Sequence, residues 1–360
     1  MDNKFFKKDI KFDFDDILIE PFAISDIASR SEIKVTYPNR MLPLFTAPMD
    51  TVISSRNKEF FIKSGINVIL PRTESKSNVD QTLEHLFIAL GIDEFEDMFI
   101  KNIRENTIER FVLIDIANGH MRRLLDVSKK AKSLYGDTLK LMVGNIATPE
   151  AYKIFSDIGV DYIRVGIGNG GGCLTTVQTG VGYPMASLIK ECYDISCTLD
   201  RPAKIVADGG FRNYSDVIKA LGLGADYVML GSILNKALES SGSTYLANKH
   251  VGGWTEPGEM IDQYSSETEN LFLHGTKMFK KFRGMSTKEA QKAMGKTNLK
   301  TSEGVNRIHP VEYTVSGWAQ NFRSYLSSAM SYSNSINLLE FIGNARFNLI
   351  SPSSFNRFNK

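Results

Sequence analysis

The chain has 360 residues, 42% of them apolar and 23% charged, with 43 basic against 41 acidic side chains. That balance gives no electrostatic case for a nucleic-acid partner, and no run of about 18 apolar residues is present to span a membrane. Three cysteines (Cys173, Cys192, Cys197) are too few and too late for a disulfide framework, and the first residues lack a signal peptide's apolar core, so a reducing cytoplasm is expected.

Short apolar runs recur along the chain: Leu44–Ala47, Asn67–Leu70, Phe87–Gly91, Phe111–Ile116, Leu139–Gly144, Tyr162–Gly166, Lys204–Asp208 and Tyr227–Gly231. Their continuous hydrophobicity predicts parallel strands covered on both faces. Start-to-start spacings are 23, 20, 24, 28, 23, 42 and 23 residues, about what one strand, one helix and two loops need. Helical patterns fill the gaps, as at Met121–Tyr135 and Pro149–Ile158. Eight such units predict an α/β fold, a (β/α)8 TIM barrel forming one catalytic domain over 1–360. The 42-residue interval puts a long loop after the sixth strand, at the face where such barrels hold their active sites. Residues 246–310 break the rhythm and predict a finger and flap insertion after strand eight, with a hairpin finger at Leu271–Lys281. The last barrel helix is expected at Val315–Ser331.

The long loop reads Gly166-Ile-Gly-Asn-Gly-Gly-Gly-Cys-Leu-Thr-Thr176, followed by Thr179-Gly-Val-Gly-Tyr-Pro184. Glycines let backbone groups approach a ligand, and the loop offers it one thiol, Cys173. Read literally, Gly166–Gly171 matches a dinucleotide fingerprint, but a Rossmann motif follows its unit's first strand and opens a helix at once, which this one does not. A cysteine here has little to pack against, and backbone amides favour its nucleophilic thiolate. Asp208-Gly-Gly210 and Gly231-Ser232 end strands seven and eight, where barrels bind phosphate through exposed amides. The five histidines show no zinc-binding pairing.

The glycine–cysteine loop, with Ala47-Pro-Met-Asp-Thr-Val52, Asp115-Ile-Ala-Asn-Gly119 and Arg283-Gly-Met-Ser286, resembles the IMP dehydrogenase/GMP reductase family, and the Thr179–Pro184 tail resembles its reductase branch. The resemblance runs from Phe12 to Phe347. It implies that Cys173 attacks C2 of a purine nucleotide to form a thioimidate, with Thr175 as a proton relay and Glu303 as its acid partner. Read without the family, Glu303 is a surface charge. Carbonyls of Gly168, Gly170 and Cys173 would bind a monovalent cation such as K+. Met49 would line the base pocket, Asp208 would hold the ribose, and Gly209, Gly210, Gly231 and Ser232 the phosphate. Gly284, Met285, Ser286 and Gly304 would complete the nucleotide site. Asp115, Ile116, Ala117 and Gly168 would meet the nicotinamide of NADPH, and Ser29, Arg30 and Arg72 its phosphates; Arg30 could equally be a solvated surface charge. Asn145 reads as a loop-shaping residue. Relatives assemble as homotetramers, with a segment here matched by Ser328–Ser331 serving the neighbouring subunit's cofactor.

Two absences separate the branches. Leu70 to Phe87 leaves no room for the CBS domains that dehydrogenases usually insert. Between Met285 and Glu303 there is no arginine and no tyrosine, the pair that activates water in a dehydrogenase. The resemblance therefore implies a GMP reductase, converting GMP to IMP and ammonia with NADPH. A dehydrogenase without CBS domains, and a catalytically weak nucleotide-binding regulator, are the alternatives. Asn169, Gly171-Gly172 and Thr176, which replaces an arginine of the reductases, depart from the family's pattern.

Overall fold

A computed structural model describes residues 10–74, 79–105, 107–250, 253–295, 297–298, 301 and 304–358. Its strands, in chain order, are β1 (Ile17–Glu20), β2 (Leu44–Thr46), β3 (Val68–Leu70), β4 (Leu86–Leu90), β5 (Arg110–Asp115), β6 (Leu139–Ile146), β7 (Tyr162–Val165), β8 (Lys204–Asp208) and β9 (Tyr227–Leu230). After these come β10 (Thr244–His250), β11 (Gly253–Ile261), β12 (Met278–Arg283), β13 (Asn306–Pro310) and β14 (Arg346–Leu349).

Strands β2 to β9 form one eight-stranded sheet in the order β2-β9-β8-β7-β6-β5-β4-β3, every pair parallel. A parallel bridge from Phe45 to Asn67 joins its two ends, so the sheet closes. The eight apolar runs are these eight strands, and the fold is a (β/α)8 TIM barrel. Helices cover the outside, and local chemistry fixes where they start. Thr148 caps Pro149–Asp157, Asn213 caps Tyr214–Leu223 and Thr314 caps Val315–Tyr332, each accepting a backbone N–H in the first turn. Between β3 and β4 the described residues hold only a short turn, Val79–Gln81, in place of a helix.

Two cores result. The larger lies between sheet and helices. The smaller fills the barrel, and its aromatic members start the strands: Phe45, Phe87, Phe111 and Tyr227, with Tyr162 packed against them. Phe45 meets Phe87 edge-on at 5.4 Å and Tyr227 at 4.9 Å, and Phe87 meets Tyr162 at 5.3 Å. These rings plug the end where the strands begin. The other end, where the strands finish in Ala, Gly and Asp, stays open.

The insertion after β9 is a four-stranded antiparallel sheet, β11-β10-β12-β13. The hairpin expected at Leu271–Lys281 is not there. Ser266–Leu273 is a helix, because Ser265 accepts the Thr268 N–H and Glu267 and Glu269 favour its first turn. Only β12 alternates buried and half-buried residues as a strand should. The hairpin lies upstream, between β10 and β11. Lys280 ties this sheet to the barrel: its buried Nζ donates to the carbonyls of Leu238 (2.7 Å), Ser240 (2.6 Å) and Gly242 (3.4 Å). Among the described residues no helix is long and apolar enough to cross a membrane.

Candidate functional site

The open end of the barrel leads into a cavity of about 650 Å³. The loop after β7 forms one wall. Its backbone needs glycine at two places. Gly168 has φ +83°, and a Cβ there would overlap Thr176 Oγ1. Gly209, at the end of β8, has φ +92°, and a Cβ there would lie 2.8 Å from the Gly170 nitrogen. The β7 and β8 loops therefore touch backbone to backbone. Asn169 and Thr176 close the long loop on itself. Asn169 Nδ2 donates to Tyr183 O (3.2 Å), and Thr176 Oγ1 donates to Val181 O (2.7 Å).

Cys173 is half-buried on this wall. Its thiol donates to Thr175 Oγ1 at 3.2 Å and accepts the Thr175 N–H at 3.5 Å. The short helix Thr175–Thr179 starts immediately after it. The segment between β12 and β13 holds the loop from the other side. Cys173 bridges Gly304, Val305 N donates to Gly172 O (3.2 Å), and Gly284 N donates to Val305 O (3.0 Å). Arg283 is ion-paired to Asp50, which fastens the Arg283–Ser286 turn to the loop after β2.

Beneath the cavity a charge chain crosses three strands. Arg164, inside β7, donates from Nη1 to Asp115 Oδ1 at 2.5 Å and from Nε to Asp208 Oδ2 at 3.0 Å. Burial alone would push the Arg164 guanidinium down, but the two carboxylates more than offset it and raise it above its ordinary range. Asn145 Nδ2 donates to the same Asp208 oxygen (2.7 Å), and Nδ2 also reaches Gly166 O (2.7 Å). Asp208 is thus held by two donors on one oxygen, while Oδ1 makes no hydrogen bond to a described residue and is available to a hydroxyl.

Most of the residues singled out in the sequence line this cavity. Cys173, Thr175, Met49 and Asp208 do so, with the glycine pairs Gly209-Gly210 and Gly168/Gly170. Gly231 and Ser232 line it at the end of β9, and Gly284, Met285 and Ser286 line it from the insertion. Asp115, Ile116, Ala117 and Arg72 extend it to one side. There Arg72 Nε is buried 3.4 Å from a Glu94 carboxylate oxygen, with no hydrogen bond to a described residue. Gly304 adjoins the cavity through its bridge to Cys173. Ser29 and Arg30 do not line it; they form an exposed turn in which Ser31 N donates to Ser29 Oγ. Glu303 lies outside the described residues. Arg164 and Gln291 also line the site and were not singled out in the sequence. The signal for Arg164 was a lone cation within an apolar strand; Gln291 gave none.

The profile described as IMP dehydrogenase / GMP reductase domain matches residues 11–253. Over 98% of the chain and 99% of the relative, the sequence is 29% identical to a GMP reductase of Vibrio campbellii and 30% identical to one of Buchnera aphidicola. A GMP reductase of Photobacterium profundum is 29% identical over the same shares.

Proposed function

This chain belongs to the IMP dehydrogenase / GMP reductase family, and we propose that within it the protein is a GMP reductase: it takes GMP and NADPH to IMP, ammonia and NADP. The observation that carries this reading is the 3.2 Å contact between Cys173 Sγ and Thr175 Oγ1 on the wall of a cavity rimmed by glycine backbone. A thiol that donates to a neighbouring hydroxyl and accepts an amide N–H is held in one orientation on the cavity wall, as a nucleophile aimed at a bound ligand must be.

Asp208 Oδ1 would accept from the ribose, and the exposed amides of Gly209, Gly210, Gly231 and Ser232 would take the phosphate. Met49 would lie against the base, with main-chain groups of Gly284, Met285, Ser286 and Gly304 completing its contacts. The Cys173 thiolate would then add to C2, and the C2–N bond would break as Thr175, paired with Glu303, delivers the proton with which the amino group leaves as ammonia. The product on the enzyme is a thioimidate, C2 bonded to Sγ. When bound, NADPH would supply the hydride for C2, and cleavage of the C2–S bond would return the thiolate to Cys173.

The residues beside the cavity fit a nicotinamide cofactor. Asp115, Ile116, Ala117 and Gly168 offer a mixed apolar and backbone surface next to Cys173. The guanidinium of Arg72, which lines the cavity, would supply positive charge for a phosphate at the far side. Carbonyls of Gly168, Gly170 and Cys173 would hold K+; the Gly170 carbonyl already accepts the Cys173 N–H and keeps a second lone pair. The absence of arginine and tyrosine between Met285 and Glu303 supports release of ammonia over attack by water. Ser29 and Arg30 belong to an outer patch beside the helix Val315–Tyr332, where Ser25 Oγ donates to Ser331 O. That location suits a cofactor contact made across a subunit boundary in a cytoplasmic homotetramer.

The test follows reduced nicotinamide by its near-ultraviolet absorbance. GMP-dependent loss of NADPH, absent in Cys173→Ala while GMP still binds, is the expected result. Reduction of NAD with IMP would instead assign the dehydrogenase reaction. Nucleotide binding with neither turnover would assign a regulator.

A further inference from the structure

Strand β13 is exposed at every residue except His309, which is half-buried. Its imidazole stacks on Phe282 of β12, with ring centroids 4.9 Å apart and an interplanar angle of 27°. On its other side Nδ1 lies 2.9 Å from Asn235 Oδ1. Asn235 is fully buried, and its Nδ2 already donates to Thr51 O (2.8 Å) and Lys281 O (3.1 Å). With both amide hydrogens used, Oδ1 can only accept, so Nδ1 of His309 carries the proton. Burial, with help from Lys236 and Arg307, pushes His309 down to about 4, so the ring is neutral at physiological pH.

Phe282 is itself 2% exposed and lies against Gly172, the residue before Cys173. A Cβ at Gly172 would sit 3.0 Å from Phe282 Cε1 and 3.2 Å from Cζ, closer than side chains normally pack. The aromatic ring takes the space that a larger residue at 172 would fill, and the imidazole backs the ring.

We propose that His309 is a positioning residue: fixed by Asn235, it holds Phe282 against Gly172 and so sets the place of the Cys173 thiol. For turnover this rests on the reductase reading above; for the thiol itself it does not. Asn235 closes the short helix that begins at Ser232, so the same amide links the proposed phosphate site, the loop after β2 and the insertion.

The test measures kcat and KM with GMP and NADPH, and separately the iodoacetamide alkylation rate at Cys173. Peptide mass spectrometry assigns the site, because Cys197 is also exposed. In His309→Ala, kcat is expected to fall about tenfold or more with a smaller change in KM, since ångström-scale misplacement of a reacting group can cost roughly 100-fold. Alkylation of Cys173 is expected to speed up severalfold as the loop loosens. His309→Phe keeps a ring against Phe282 and is expected to retain wild-type kcat and alkylation, with lowered thermal stability because Asn235 Oδ1 loses its donor. Wild-type alkylation in His309→Ala would overturn the proposal, as would a His309→Phe variant as perturbed at Cys173 as His309→Ala. A wild-type protein inactive with GMP and NADPH would refute the reductase reading and leave the alkylation comparison to decide this one.

Discussion

Replacing Arg164 by methionine keeps the length of the side chain and removes its charge from between two carboxylates. Asp115, Arg164 and Asp208 have side chains only 18%, 12% and 16% exposed, so water replaces little of what is lost. Two unit charges 3 Å apart attract by roughly 5 kcal/mol at an effective dielectric of 20, before the cost of burying them is subtracted. Removing one partner of a buried pair typically costs about 3–5 kcal/mol, because the other charge is stranded. Asp208 keeps the Asn145 amide at 2.7 Å, which favours the lower half of that range. Urea denaturation near neutral pH should therefore find Arg164→Met about 3 kcal/mol less stable than wild type. A loss below about 1 kcal/mol would refute the view that these three side chains are a buried, mutually dependent ion triad.

Gly168→Ala is expected to cost several kcal/mol in stability or to disable the loop, because φ is positive and the new Cβ collides with Thr176 Oγ1; calorimetry and NADPH turnover measure the two outcomes. Thr175→Val should leave GMP affinity nearly intact and lower kcat about 100-fold, as expected for loss of a proton relay; similar losses in kcat and affinity would argue against that role. Burial lowers Lys280 to about 7, against an ordinary value of 10.5. The unfolded chain thus binds more protons between those values, and stability should rise as pH climbs from about 7 towards 10, with a ceiling of roughly 4 kcal/mol at about 1.4 kcal/mol per pKa unit. Lys280→Met should flatten that rise, which denaturation at several pH values would reveal.

The barrel strands were legible because each is buried on both faces, and runs such as Phe111–Ile116 admit little else. The glycine–cysteine loop was legible because Gly168 and Gly209 occupy backbone positions closed to other residues. The insertion was harder. Leu271, Phe272, Leu273 and Phe279 look like the apolar residues of one hairpin, yet Ser265 and two acidic residues turn the first three into a helix. Arg164 escaped notice because a charged residue in a strand reads as an interruption, and only the closed sheet brings Asp115 and Asp208 to it from strands on either side. Ser29 and Arg30 lie on an exposed turn away from the cavity, and a single sequence holds no measure of that distance. His309 gave no signal, since its partners Asn235 and Phe282 come from elements 74 and 27 residues away.

The aromatic plug of Phe45, Phe87, Phe111, Tyr162 and Tyr227 sits at one end of the barrel and the glycine-rich chemistry at the other. None of the rings that plug the barrel lines the cavity. Substitutions at Asn169 or Gly171 can reshape the cavity wall without reaching the rings, and repacking among the rings can harden the scaffold without disturbing Cys173. A library confined to the mouth loops, and sparing the positive-φ glycines such as Gly168 and Gly209, should for that reason yield folded proteins more often than one of equal size aimed at the plug.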